Sequence, residues 1–236
     1  MSDRTTGDRT TPEPSPRPAR TSAAARRRVR EQEILAATRS LFDSTGVGDV
    51  QIEDIAREVG INRAIIYRHF SGKDELFALT VEGYLAELQA RLEAAAGSDV
   101  PARERLAAVV AAFVDYGLEF PAFVDCAQAL MRLQGSELEE QLSEAALFRL
   151  GRGLSACLRS VITTLDDGAA SGDFDVEDST LLANYMYASA LGALQLARIG
   201  MLVGEAQPGV PTVSRITGDD VRRFMTSSAL ALAGAR

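Results

Sequence analysis

Residues 51–76 read QIEDIAREVGINRAIIYRHFSGKDEL. Ile52, Ile55, Ala56 and Val59 recur at helical spacing and give a first short helix one apolar face. Gly60 stands where a helix C-terminus favours glycine, and Asn62 is a good N-cap for a second helix. In that second helix Ile66 and Phe70 lie four apart and point inward. Arg63, Ala64, Tyr67 and Arg68 fall on the opposite side. A short helix that buries one side and offers arginine, a small residue and tyrosine on the other suits reading a major groove.

Working outward, the spacing predicts a preceding helix over 28–44, with Ile34, Leu35, Thr38, Leu41 and Phe42 as its stripe. Beyond Ser71-Gly72, Lys73-Asp74-Glu75 opens a long helix to about residue 97. Further helices are expected over 101–120, 122–134, from about 136 to 165, over 176–203 and over 218–233. Ser136 and Glu139 resemble a capping box. Residues 166–175 and 208–214 read as loops, and no strand pattern is expected. The fold class is therefore all-α.

The formal net charge is -8, which by itself argues against a nucleic-acid partner. Its distribution reverses that reading. Residues 1–80 hold 13 basic and 12 acidic residues, whereas the remainder holds 12 and 21. The first 30 residues carry 8 arginines against 3 acids. Such a step suggests a DNA-facing end and an acidic body. Residues 1–25, rich in Thr, Pro, Ser and Arg, read as a disordered tail. Arg26, Arg27 and Arg28 read as a basic arm that meets phosphate or enters the minor groove, or as a solvated lead-in to the first helix.

Several function classes are disfavoured. One histidine, His69, and two distant cysteines, Cys126 and Cys157, make a metal site or a nucleophile–base pair improbable, so no metal, cofactor or enzymatic activity is expected. The cysteines read as reduced, buried residues. Asp166-Asp167 and Asp219-Asp220 read as caps. No apolar run of about 18 residues is long enough to span a bilayer, and the first 30 residues lack the apolar segment of a secretory signal. A cytoplasmic protein with no membrane partner is expected.

The segment IEDIAREVGINRAIIYRHFSGKDEL, preceded by a helix containing ILAATRSLF, resembles the DNA-binding domain of TetR-family transcriptional regulators over about residues 28–80. The resemblance implies an all-helical homodimer. It implies a helix-turn-helix domain over 26–80, and a ligand-binding and dimerisation domain over 81–236 that pairs through the last two helices. Carried over by motif position, Arg63, Ala64 and Tyr67 meet base edges of a double-stranded operator. Tyr67, His69, Lys73 and Gln51 hold phosphates. Gln51 departs from the family's usual threonine. Ile65 stands where the family often has a small or hydroxyl residue, and either touches a thymine methyl or is partly buried.

In the body, Phe113, Tyr116, Phe120, Phe123, Cys126, Leu130, Met131 and Phe148 form either an ordinary core or the wall of a pocket for an apolar small-molecule effector. Asp125, Gln128, Asn184 and Gln195 are candidate polar contacts, together with Tyr116. Small residues at Ala188, Ala190, Gly192, Ala193, Ala197 and Gly200 suit a close helix seam. The leading function is a ligand-released transcriptional repressor. The alternative is a ligand-independent architectural DNA-binding protein, which predicts weak sequence preference and a steep salt dependence.

Overall fold

The computed structural model describes residues 22–97 and 100–235. The expected disordered tail over 1–25 lies outside the described residues up to position 21. Its last residues, Ala23–Ala25, are instead helical. Ser22 accepts a hydrogen bond from the Ala25 N–H (3.1 Å) and starts helix α1, Ala23–Thr45. Arg26, Arg27 and Arg28 thus lie in the first turns of α1, not on an extended arm that could thread a minor groove.

Helix α2, Ile52–Val59, and helix α3, Arg63–His69, form as the periodicity requires. Gly60 adopts φ 72°, and the Ile61 N–H reaches back to the Ala56 carbonyl (2.9 Å), which closes the turn between them. Asn62 accepts from the Ala64 N–H (2.9 Å) as the N-cap of α3. Ile52, Ile55, Ile66 and Phe70 are buried against Ile34 and Phe42 of α1. Each such side chain contributes roughly 1.5–3 kcal/mol on burial.

Helix α4, Lys73–Ala95, is central. It packs against α1, against α5 (Ala102–Glu119), α6 (Pro121–Met131) and α8 (Glu144–Ser171). Pro121 occupies the first turn of α6, where its missing N–H costs nothing, and α5 and α6 meet at 101°. A short helix α7, Gly135–Gln141, is capped by its Gln134 N–H on Glu137 (2.7 Å), not by Ser136 with Glu139.

Three expectations about the body are corrected. Helix α8 does not end near 165; it runs to Ser171, because Asp167 pairs with Arg105 of α5 (2.8 Å) and Phe174 folds back onto Gly168. Helix α9, Ser179–Ile199, is shorter than the span 176–203, since Gly200 turns left-handed at φ 72°. The chain then forms an antiparallel hairpin, β1 (Met201–Gln207) and β2 (Val210–Arg215), where a helix end and a loop were expected. The turn is Pro208-Gly209, with Gly209 at φ 82°. Helix α10, Gly218–Leu232, begins at a reciprocal Thr217–Asp220 cap.

One continuous apolar cluster runs from Ile34 in α1 to Ala233 after α10. Helix α4 therefore crosses the expected domain boundary at residue 80 without a break. Gly117 of α5 lies directly against the Leu194 side chain of α9, which would have to shift to admit even a Cβ there. No single helix among the described residues is long and apolar enough to cross a membrane.

Candidate nucleic-acid interface and effector cavity

The outer face of α3 is assembled by burial of its inner face. Ile66 and Phe70 are sealed into the core, which leaves Arg63, Ala64, Tyr67 and Arg68 exposed together. Ile65 is half-buried at the edge of this face. Arg63 pairs with Glu53 of α2 (3.0 Å), with both side chains largely in water. An exposed pair of this kind is worth little and exchanges readily for a phosphate or a base. Lys73 reaches the Gln51 side-chain oxygen (3.4 Å) and lies over the Phe77 ring (4.9 Å), so both residues sit where α2 and α4 begin. The Gln51 N–H donates to Asp54 (3.1 Å), which supports the start of α2 without a threonine.

Arg27 donates to the Arg68 carbonyl at the end of α3 (3.4 Å), which joins α1 to the recognition helix. Arg26, Arg27 and Arg28 crowd the N-terminal turns of α1, an end whose dipole favours anions, and no acid lies in its first turn. The helix dipole disfavours cations at that end, and an anion bound there would offset this. His69 sits among these cations. Partial burial and then the Arg27 charge lower its pKa below the ordinary histidine value, so it is neutral at pH 7. Its Nδ1 is buried and has no hydrogen-bond partner among the described residues.

The body encloses a cavity of about 510 Å³. Its wall combines Leu85, Leu88 and Leu92 of α4 with Val109, Val110 and Phe113 of α5. Leu154, Cys157 and Leu158 of α8, Met186, Tyr187 and Ala190 of α9, and Met225 and Ala229 of α10 complete it. Among the described residues no charged side chain lines it. Tyr187, Ser189 and Ser228 supply hydroxyls, and burial pushes the Tyr187 phenol up to about 12. Tyr185, Phe224 and Leu232 line it as well and are exposed, so in the single chain it opens between α9 and α10.

Only Phe113 of the sequence-derived pocket residues lines this cavity. Tyr116, Phe120 and Phe123 pack with Tyr84 in an aromatic cluster, and the Tyr116 hydroxyl donates to the Tyr84 carbonyl (3.0 Å). They fill space instead of bounding it. Cys126 and Leu130 line a separate cavity of about 230 Å³ near Phe77 and Leu142. Gln128 is consumed by the Leu191 carbonyl (3.0 Å), Asp125 by Arg198, and Asn184 by the Thr180 carbonyl (2.9 Å). Gln195 keeps its side-chain oxygen buried without a partner among the described residues and does not line the cavity. Met131 and Phe148 are exposed. Burial pushes both cysteine thiols up to about 12, so they stay protonated.

Reading the sequence missed the ties between cavity wall and DNA-facing helices. Glu75, in the first turn of α4, is buried. It accepts from the Ser71 N–H (2.6 Å) and from the hydroxyl of Ser143, the N-cap of α8. Two turns along α8, Arg149 bridges Glu82 of α4 (2.9 Å) and Glu31 of α1. The helix whose middle lines the cavity thus holds α1 and the α3–α4 turn at its N-terminal end.

Burial alone would raise the Glu75 carboxyl, but the Ser143 and Ser71 donors outweigh it and hold it below the ordinary glutamate value of 4.5. A carboxyl depressed in the folded state stabilises fully above the unfolded value, and that contribution is lost as pH falls through the folded one. Glu75→Gln is therefore expected to lower stability at pH 7 by about 1.5–3 kcal/mol and to flatten the loss of stability below the unfolded value. Urea titrations across that range check it; an unchanged midpoint and acid limb would remove Glu75 from the tie.

The fold and the exposed α3 define a helix-turn-helix protein with a helical body. A family model described as "Bacterial regulatory proteins, tetR family" matches residues 34–80. The chain is 35% identical over 97 residues to the HTH-type transcriptional regulator TtgW of Pseudomonas putida, covering 41% of this chain and 69% of that one. It is 36% identical over 83 residues to the HTH-type transcriptional regulator BetI of Brucella anthropi, covering 35% of this chain. That match spans only 43% of BetI's length. The chain belongs to the TetR family. Among solved structures it is similar to RolR in complex with resorcinol, with a TM-score of 0.64 at 20% identity over 90% of this chain and 91% of that one. At that identity the likeness concerns the fold.

Proposed function

We propose that the protein is a cytoplasmic, one-component transcriptional regulator that binds operator DNA as a homodimer and is released by an uncharged, largely apolar effector. The observation that carries the effector half is the 510 Å³ cavity with no charged wall residue among the described residues, since a charged ligand there would lose hydration without a partner. Its volume falls within the usual range for ligand sites, about 300–1,000 Å³. The resorcinol held by RolR supports a small-molecule effector. The DNA half rests on Arg63, Ala64, Ile65, Tyr67 and Arg68 at the reading face, with Gln51, His69, Lys73 and Arg26–Arg28 around it. The domain division is 26–80 for DNA and 81–236 for effector and dimer, joined by α4.

The homodimer reading rests on an outward apolar stripe. Leu181, Tyr185 and Ile199 of α9 are exposed, as are Phe224 and Leu232 of α10. Gly192 lies between the first three with open space before its Cα, where two helices could approach closely. A two-fold axis there would set two α3 helices into successive major grooves, about 34–36 Å apart. An effector that favours a different α8 position would act on α1 and α4 through Arg149 and Glu75. By linkage, DNA would weaken effector binding by the same factor.

Binding to DNA from upstream of its own gene, against scrambled DNA at several salt concentrations, tests the reading. Equal affinity for both would favour the architectural alternative. Within that assay Arg63→Ala is expected to relax sequence preference. Lys73→Ala is expected to weaken all sequences alike and to reduce the salt slope by about one. A Lys73→Ala slope equal to the wild type's would remove Lys73 from the phosphate contacts.

A further inference from the structure

Every residue from 201 to 215 is exposed, so the hairpin finds no cover among the described residues of its own chain. The pairing register sorts its side chains into two unlike faces. Met201, Val203 and Glu205 of β1 stand with Pro211, Val213 and Arg215 of β2 on one side; Leu202 and Gly204 stand with Thr212 and Ser214 on the other. Val203 and Val213 are direct partners, and they are 80% and 65% exposed. One face thus has an open apolar centre, Met201, Val203, Pro211 and Val213, with Arg215 and Glu205 at its two ends, and the other is mostly small or hydroxylic. A lone two-stranded hairpin is marginal in water, and an open apolar strand edge invites pairing unless something covers it.

The composition narrows what that cover can be. Within 201–215 the only charges are Glu205 and Arg215, which cancel, so DNA has no electrostatic purchase there. The root of the hairpin points to a different surface. The Ile216 N–H bonds the Gly200 carbonyl (3.3 Å), which clamps both strands between the end of α9 and the start of α10. Ile199 and Met201, both exposed, make the apolar surface continuous from the outward stripe of those helices onto the hairpin. Seven residues of strand reach about 23 Å beyond that root. In a two-fold interface the same patch serves both copies, so an arm rooted beside the seam faces the matching surface of its partner.

We infer that the hairpin is a dimerisation arm: its Met201–Val203–Val213 face packs on the α9–α10 surface of a second copy of this chain. The inference rests on the homodimer reading above. Sedimentation of the full chain, wild type against the double variant Val203→Lys with Val213→Glu, tests it. That pair keeps a favourable cross-strand contact while removing the apolar face. The dimer dissociation constant is expected to rise about tenfold or more, with helix content unchanged. Hydrogen exchange gives a readout that needs no variant. Amides of 201–207 and 210–215 should exchange slowly in the dimer and fast after dilution to monomer, while those of α4 do not respond. A wild type that stays monomeric at about 10 μM would sink the homodimer reading itself. An unchanged dissociation constant in a dimeric wild type, or hairpin amides as fast in the dimer as in the monomer, would overturn the arm and leave the homodimer standing.

Discussion

Tyr67→Ala is expected to weaken operator binding about 100-fold while leaving folding and dimerisation intact. Tyr67 is 54% exposed on α3, and the helix is held instead by Ile66, Phe70 and the Asn62 cap. Truncation therefore removes little from the core. A single phosphate or base contact of this type is worth about 1–3 kcal/mol, and a two-fold complex loses it twice. Fluorescence anisotropy at one fixed salt concentration measures the change, because affinity for DNA has no meaning without it. The far-ultraviolet spectrum and the unfolding midpoint should not move. Binding within about threefold of wild type would take Tyr67 out of the interface.

Ala190→Phe is expected to abolish effector response without weakening DNA binding. Ala190 is buried on α9 and lines the cavity, so a ring there occupies empty volume instead of displacing packed neighbours. The neutral dye N-phenyl-1-naphthylamine is a suitable probe, since its brightness reports an apolar site. Wild type should bind it, and the variant about tenfold or more weaker. Equal dye binding by both would place the apolar site elsewhere, with the smaller cavity beside Cys126 and Leu130 the next to test. Weakened DNA binding by the variant would mean that Ala190 serves packing rather than ligand access.

These two expectations differ in how far the sequence alone could support them. The reading face was legible because its signals are local. A 3.6-residue period, a cap at Asn62 and a left-handed glycine at Gly60 all act within a few residues, so Arg63 and Tyr67 could be placed outward before any fold was known. The hairpin also carried a weak local signal: Pro208-Gly209 sits between two short runs that hold Val203 on one side and Val210, Thr212 and Val213 on the other. The helical pattern of α9 masked it up to Gly200.

The cavity had no such signal. Tyr116 and Phe123 on one side, and Phe113 on the other, belong to the same apolar faces of α5 and α6. The first two meet Tyr84 and close up; Phe113 meets a gap left where five helices diverge. Hydrophobicity selects which face turns inward, but a void is decided by the distances between faces. Glu75 makes the same point for a charge. In sequence it is one of two acids favouring the N-terminus of α4. Only the fold brings Ser143, 68 residues away, to its carboxylate and makes it a joint between cavity wall and reader. The sequence by itself determined the helical class, the helix-turn-helix and its outward residues, because those depend on near neighbours along the chain. The tertiary structure decided the cavity, the α8 joint and the exposed hairpin, because each depends on where distant segments meet or fail to meet.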